Sequence, residues 1–436
     1  MTPPATPSAL PPDDRARREL HDEVHARPPS LLPLPSDIVY LALLNDGVAP
    51  DGELAHLRLL PAAEAVRSDG VERQFLRLDL GTATLQWERH SEFTRYAFVL
   101  PASAAADAPD PLATLQALLP AGWLAAVPGR TIAAVRLALR AGDPADAEAL
   151  ARAARPRFET RPPVVSRIGE GHALVLTDFR LGGDGFERIE LVMPQATPAG
   201  RAGRVAAQLL ELETYRLMAL RGLPAAKSLA PVLARAESEL AEITAGLEDG
   251  RAQDEALLAS LVALAARVER ATAAHMYRFA ATRAYDAIVR QRIDELQEQR
   301  LPSSQTIAEF MQRRLWPAIA TVAASARRLD ALSSRIERAG ALLRTRVDIA
   351  AESHSRALLE KLTRGQQLQL RLQGTVEGLS IAAISYYVVS LILYGAKAAH
   401  AAGAPLQPEL AAGASIPLVL LGVAWLIRRI HRGLHD

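Results

Sequence analysis

Between Ile38 and Met193 apolar and polar positions alternate over short stretches, the two-residue period of strands that turn one face to a core. Ile38 to Leu44 is a continuous apolar run with the length of a buried strand. Phe75 to Leu80 sets Leu76, Leu78 and Leu80 against Arg77 and Asp79. Thr84 to Arg89 and Phe93 to Leu100 flank a short polar turn and predict a hairpin. Val164 to Ile168 and Ala173 to Phe179, around Gly169-Glu170-Gly171, predict a second. Thr131 to Leu139 and Arg188 to Met193 complete the strands, and Pro144 to Ala154 reads as a helix. Hairpins mixed with helices predict an α/β or α+β domain.

Beyond Pro198 the period lengthens to that of a helix. Arg201 to Arg221 is stopped by Gly222-Leu223-Pro224, and Ser228 to Leu247 by Asp249-Gly250. Arg251 to Arg300 is one unbroken pattern, about 75 Å of helix at about 1.5 Å per residue. Leu301-Pro302 ends it, with Ser303 or Ser304 as the next N-cap. Pro317 opens or kinks a further helix, in which Leu329, Leu332, Ile336, Leu343 and Val347 follow a heptad-like order. Arg327, Arg328, Asp330, Arg335, Glu337 and Arg338 take its remaining faces. Helices this long need long partners, so Arg251 to Arg300 and Pro317 to Gly374 are expected to pack antiparallel in a bundle or coiled-coil stalk.

Two uncharged runs then follow, Leu379 to Ala396 and Leu410 to Ile427. Each is near the shortest that crosses ~30 Å of hydrocarbon, and together they predict a transmembrane hairpin. Lys361, Arg364 and Arg371 precede the first, and Arg428, Arg429 and Arg432 follow the second. The loop between holds only Lys397, with Glu409 near its end. This asymmetry places both chain ends in the cytoplasm. Tyr386, Tyr387, Tyr394 and Trp425 are candidate interface anchors. On the first span Glu377, Ser380, Ile384, Tyr387, Leu391 and Tyr394 step by three and four along one face. A carboxylate and three hydroxyls on a membrane helix fit a helix-packing stripe with Glu377 at the cytosolic interface, or a pore lining.

Charge and chemistry narrow the function little. Lys and Arg total 50 against 49 Asp and Glu, which favours no nucleic-acid partner. Zero cysteines exclude disulfides and thiolate metal sites and suit a reducing compartment. Met1 to Pro12 is proline-rich and lacks the plan of a signal peptide, so it reads as a disordered tail ahead of a cytosolic domain. His21 and His25 stand at i and i+4, the spacing of two metal ligands on a helix. Asp22 replaces the Glu a zincin requires, and Arg27-Pro28-Pro29 ends the helix, so a docked structural segment is the stronger reading. Gly182-Gly183-Asp184-Gly185 lacks the Lys-Ser/Thr of a phosphate loop and reads as a turn. His275, His354 and His400 are isolated, no catalytic constellation appears, and neither enzymatic activity nor a cofactor is expected.

His21-Asp22-Glu23-Val24-His25-Ala26-Arg27-Pro28-Pro29 resembles the N-terminal signature of a bacterial family of predicted membrane-anchored proteins of unknown function. Thr375-Val376-Glu377-Gly378-Leu379-Ser380-Ile381-Ala382-Ala383-Ile384-Ser385-Tyr386-Tyr387 resembles the same family's membrane entry. The resemblance implies the bacterial inner membrane and attaches no activity. The layout is also similar to that of CorA-type divalent cation channels, pentamers with Tyr-Gly-Met-Asn at the outer end of the first span. Here Tyr394-Gly395-Ala396-Lys397 stands in that place, and a ring of Lys397 ammonium groups would repel the cation.

The expected organisation is a tail over 1–20, a cytosolic α/β domain over 21–197, a helical stalk over 198–373, and a membrane hairpin with basic tail over 374–436. The expected function is a self-associating, membrane-anchored protein that holds a cytosolic domain at the bilayer. The alternative is a CorA-like channel of altered selectivity. Reporter fusions test the topology: a fusion at Asp436 is expected to report cytoplasm and one between Ala398 and Pro408 the outside. A C-terminal fusion active outside would reverse the assignment.

Overall fold

The computed structural model describes residues 14–17, 20–21, 31–61, 74–102, 110–158, 163–249, 253–302, 304–403, 405 and 407–433. In chain order, β1 (Ser36–Leu44) is followed by α1 (Pro50–Leu57), β2 (Phe75–Asp79), β3 (Thr84–Arg89), β4 (Phe93–Pro101) and α2 (Pro111–Leu118). Next come β5 (Arg130–Ala141), α3 (Ala147–Ala154), β6 (Val164–Ile168), β7 (Ala173–Thr177) and β8 (Glu187–Met193). The rest is helical: α4 (Ala199–Leu220), α5 (Gly222–Asp249), α6 (Asp254–Leu296), α7 (Ile307–Arg314), α8 (Trp316–Ala401) and α9 (Pro408–Gly433).

The strands form one eight-stranded sheet in the order β2-β3-β4-β1-β5-β8-β7-β6. Neighbours are antiparallel except β5 and β8, which run parallel. β8 reaches β5 by a crossover through α3 and the β6–β7 hairpin, as a parallel pair requires. All nine residues of β1 are buried, because both faces of the sheet are covered; this is why its sequence does not alternate. On one face Tyr40, Val135, Leu137 and Leu191 pack in a single core with Leu209 of α4, Val289 of α6 and Met311 of α7. The other face has two separate covers. Leu41, Leu85, Trp87 and Phe98 lie under Leu54 of α1, Leu115 of α2 and Trp123. Val165, Leu174, Leu176 and Val192 lie under Ala147 and Ala154 of α3 and under Phe158. Each fully buried large side chain contributes about 1.5–3 kcal/mol.

The chain divides into two compact units, 1–251 with 259–337, and 252–258 with 338–436. In the first, α5, α6 and α8 pack along their apolar stripes. A Cβ on Gly222 of α5 would collide with Thr282 of α6 and crowd Val322 of α8, so the helices approach at backbone distance there. Farther along α5, Leu233 and Ala236 line one small pocket with Val268 and Ala271 of α6 and Leu329 of α8. α6 and α8 therefore run antiparallel: as α8 advances from Val322 to Leu329, its neighbours on α6 fall back from Thr282 to Val268. Leu329, Leu332 and Ile336 of the heptad-like stripe are buried. In the second unit Leu343 of the same stripe is buried and Val347 half-buried. Every residue over 351–376 of α8 is exposed.

Several boundaries differ from those read in the sequence. Gly222-Leu223-Pro224 does not interrupt the helices for long: α5 starts at Gly222, because proline is tolerated in a first helical turn. α6 ends at Leu296, with Gln297 at φ 47°, the left-handed conformation that terminates helices. The next N-cap is Thr306 rather than Ser304, and it forms a capping box with Glu309 that opens the short α7. Ser303 lies outside the described residues. α1 and α2, each eight residues led by proline, escaped a reading tuned to longer periods. The core makes a prediction. Leu264→Asp, at a position with no exposure, is expected to destabilise the first unit by several kcal/mol, whereas Val262→Asp, on the exposed face of the same helix, changes little. Urea unfolding followed by tryptophan fluorescence checks both.

Candidate functional site

Where the two covers of the second sheet face stop short of each other, a cleft of about 430 Å³ opens over the β5–β8 seam. Strand register builds its floor. Arg136 of β5 stands beside Arg188 of β8, and Ala138 lies between Asp37 of β1 and Glu190 of β8. Arg140 follows on β5, and Arg157 enters from the turn after α3. Proline and aromatic side chains form the walls: Pro111 at the start of α2, and Pro156 and Phe158 after α3.

Every guanidinium in this cleft is held by a carboxylate. Arg140 donates Nη2–H to Asp37 Oδ1 at 2.6 Å, and its Nη1 donates to the Ser36 carbonyl at 3.1 Å. Arg157 donates to Glu190 Oε2 at 2.9 Å. Asp184 Oδ2 accepts from Arg136 at 2.7 Å and from Arg188 at 3.1 Å, and Arg136 also pairs with Asp110. Burial opposes ionisation of Asp184, but the Phe186 amide and the guanidiniums of Arg136 and Arg188 outweigh it and hold its carboxyl below the usual range. For Glu190 burial wins over Arg157 and Arg140, and its carboxyl is pushed up. The Gly182-Gly183-Asp184-Gly185 segment is a turn, as its sequence suggests, and it aims Asp184 at two arginines. A Cβ at Gly182 would collide with the Arg188 guanidinium, so glycine there makes room for it.

β8 carries charge on its opposite face as well. Arg216 of α4 donates to Glu187 Oε1 at 2.9 Å and to Glu213 Oε2 at 2.8 Å, and its guanidinium lies 5.2 Å from the Phe179 ring centroid. All three charged groups are buried. Burial, then the charge of Glu213, pushes the Glu187 carboxyl far up against the pull of Arg216.

The structure separates the sequence-selected membrane stripe. Glu377 and Ser380 are half-buried, while Ile384, Tyr387, Leu391 and Tyr394 are exposed. The inward positions of α8 are offset from them: Ile381, Ser385, Val388 and Ile392, of which Ser385 is fully buried. Half-buried or buried positions on α9 are Ala411, Ala412, Ser415, Val419, Val423, Ala424 and Ile427, with Pro408 at its start. Glu377 and Ser380 of the stripe read in the sequence are thus partly covered, and the other covered positions of α8 lie beside that stripe. Gly395 and Lys397 are both exposed. His21 is an exposed helical residue, and Asp22, Glu23, His25, Arg27 and Pro28 lie outside the described residues. Among the described residues no three His, Asp or Glu side chains gather as metal ligands.

The cleft arginines escaped the sequence reading, although their signal was present. Arg136 and Arg140 lie on one side of a strand whose other side is apolar, and Arg188 and Glu190 on one side of a strand whose other side carries Glu187, Ile189, Leu191 and Met193. An alternating strand reads as one wet face, and only the sheet order shows that this face lies at the centre of the sheet.

Glu187 yields a pH prediction. Its carboxyl is raised in the fold, so the stability it confers is full below the ordinary carboxyl range and is lost as pH rises from there toward the raised value. Glu187→Gln, which stays neutral, is expected to flatten this alkaline-side decline and to add on the order of 1–2 kcal/mol at neutral pH. Urea unfolding of both proteins across a pH series reads the difference.

Comparison with curated proteins and with solved structures gives no match. One family model matches residues 12–434, a span that includes the cleft and both hairpin helices, and the comparisons show no similarity to CorA-type channels. The chain belongs to the family described as "Protein of unknown function (DUF3422)".

Proposed function

We propose that this protein is a self-associating membrane anchor that tethers its α+β unit to the cytoplasmic face of a bacterial inner membrane. The observation that carries the reading is the exposure of the two apolar helices. Both are long and apolar enough to cross a membrane, yet only 6% of the most apolar window of the first is buried, and 11% of the second. A core helix of the same composition would be mostly buried; an exposed one this apolar needs lipid around it. At the end of α9 the Arg429 guanidinium lies 5.2 Å from the Trp425 ring centroid, an arrangement suited to a headgroup boundary.

Self-association is supported by the exposed part of α8 ahead of the first span. Leu358, Leu359, Leu362, Leu368, Leu370 and Leu372 are all about 60% exposed. Arg356, Glu360, Lys361, Arg364 and Arg371 keep this segment out of hydrocarbon. A lone helix in water is marginal, and one displaying this many leucines gains most by packing against copies of itself.

The full chain is expected to resist carbonate extraction from membranes. Leu359→Asp combined with Leu362→Asp is expected to leave it in the membrane and reduce its mass in detergent, by light scattering, to that of one chain. Extraction by carbonate would overturn the anchor, and an unchanged mass would overturn the helix contact. An ion flux in proteoliposomes that falls with Glu377→Ala would replace anchoring by transport.

A further inference from the structure

We propose that the cleft over the β5–β8 seam is a binding site for a small phosphate ester, its phosphate held by guanidinium groups of Arg188 and Arg157 and its organic body lying over Ala138 against Phe158. The membrane reading has no part in this inference.

Space comes first. Neighbouring strands lie about 4.8 Å apart, so Asp37 and Glu190, two strands apart, leave about 10 Å between their backbones with only the Ala138 methyl between them. The resulting volume, about 430 Å³, falls within the range of small-molecule sites. A packed core has no reason to keep such an opening. Ion pairs beneath a sheet cover add little stability compared with apolar side chains of the same volume, so charge at this density in an open cleft is poorly explained by folding alone.

Orientation comes second. A guanidinium has five N–H donors, and Arg157 and Arg188 each commit one hydrogen bond to a carboxylate. Those carboxylates hold the arginines in place before a ligand arrives, so little side-chain freedom is lost on binding. Glu190 and Asp184 are the less exposed partners of their pairs, and the arginines lie nearer the solvent.

Ligand chemistry comes third. A phosphate monoester presents three oxygens and close to two charges to one end, and guanidinium forks match that geometry. Pro111 and Pro156 offer an apolar surface to the other end, beside the buried Phe158. The charged groups facing the space include as many acids as arginines once Asp184 and Asp110 are counted, so attraction rests on directed donors rather than on net charge.

The test is calorimetric titration of the full chain in detergent with phenyl phosphate, inorganic phosphate and phenol. Phenyl phosphate is expected to bind saturably and more tightly than inorganic phosphate, and phenol not at all. Arg157→Gln and Arg188→Gln are each expected to weaken phenyl phosphate about tenfold or more, a change of about 1.4 kcal/mol per factor of ten. Ala138→Leu keeps every charge and fills the floor, and it is expected to abolish phenyl phosphate binding. Arg328→Gln, which removes an arginine paired with Glu237 on a distant helix, is the control and is expected to change nothing. Arg157 is the most exposed of the cleft arginines, so its variant keeps the test valid if Arg188→Gln unfolds the protein. Absence of saturable binding overturns the site. Binding that survives Ala138→Leu, or that falls equally with Arg328→Gln, overturns it in favour of unspecific ion attraction. Inorganic phosphate binding as tightly as phenyl phosphate overturns the ester.

Discussion

The parallel contact between β5 and β8 joins two antiparallel sets of strands, β2-β3-β4-β1-β5 and β8-β7-β6, into one sheet, and much of the first unit follows from how that sheet is covered. On one side α4, α6 and α7 cross the junction and share a single core. On the other side each set has its own cover, one built on α1, α2 and Trp123 and one on α3 and Phe158. Two covers on one continuous sheet leave a gap at the seam. Side chains that reach the gap sit in the middle of the sheet and still meet solvent. Charged residues tolerate that position only when paired, and the cleft arginines and their carboxylates satisfy this requirement.

β8 shows how far the same strand is asked to accommodate charge. Its outward residues Arg188 and Glu190 take part in the cleft, and its inward Glu187 is buried under Arg216 of α4. With Glu213 beside it, Glu187 faces one guanidinium shared between two carboxyls, and burial favours the neutral acid. The strand therefore couples the two sides of the sheet chemically as well as mechanically, since a shift of β8 would disturb ion pairs on both faces at once.

A different imbalance governs the second unit. In the first unit, apolar stripes on α5, α6 and α8 meet one another and leave the surface polar. Among the described residues, α8 is exposed throughout 351–376, so its leucines there are turned outward, and much of the apolar run beginning at Leu379 is exposed as well. That much apolar area is not stable in water. The proposed function supplies lipid around the uncharged part and copies of the same helix around the part that carries both leucines and charges.

The local pattern of the chain determined a good deal. The eight strands appear within a residue or two of where alternation and apolar runs placed them, because strand formation follows side-chain period and turn residues that act over a few positions. Both uncharged runs are helical where hydropathy placed them, one as the end of α8 and one within α9, because length and charge alone decide which segments suit hydrocarbon. Proline at Pro224 and the polar residues before α7 misled the reading of helix ends, since a cap depends on backbone conformation that composition reflects only loosely. Which positions of the hairpin are covered, Ser385 above all, is a matter of tertiary packing that the sequence does not state. The cleft was beyond the sequence altogether. Asp37, Arg136, Arg157 and Glu190 are up to 153 positions apart, and strand order and register, which depend on contacts across the whole sheet, are what bring them together.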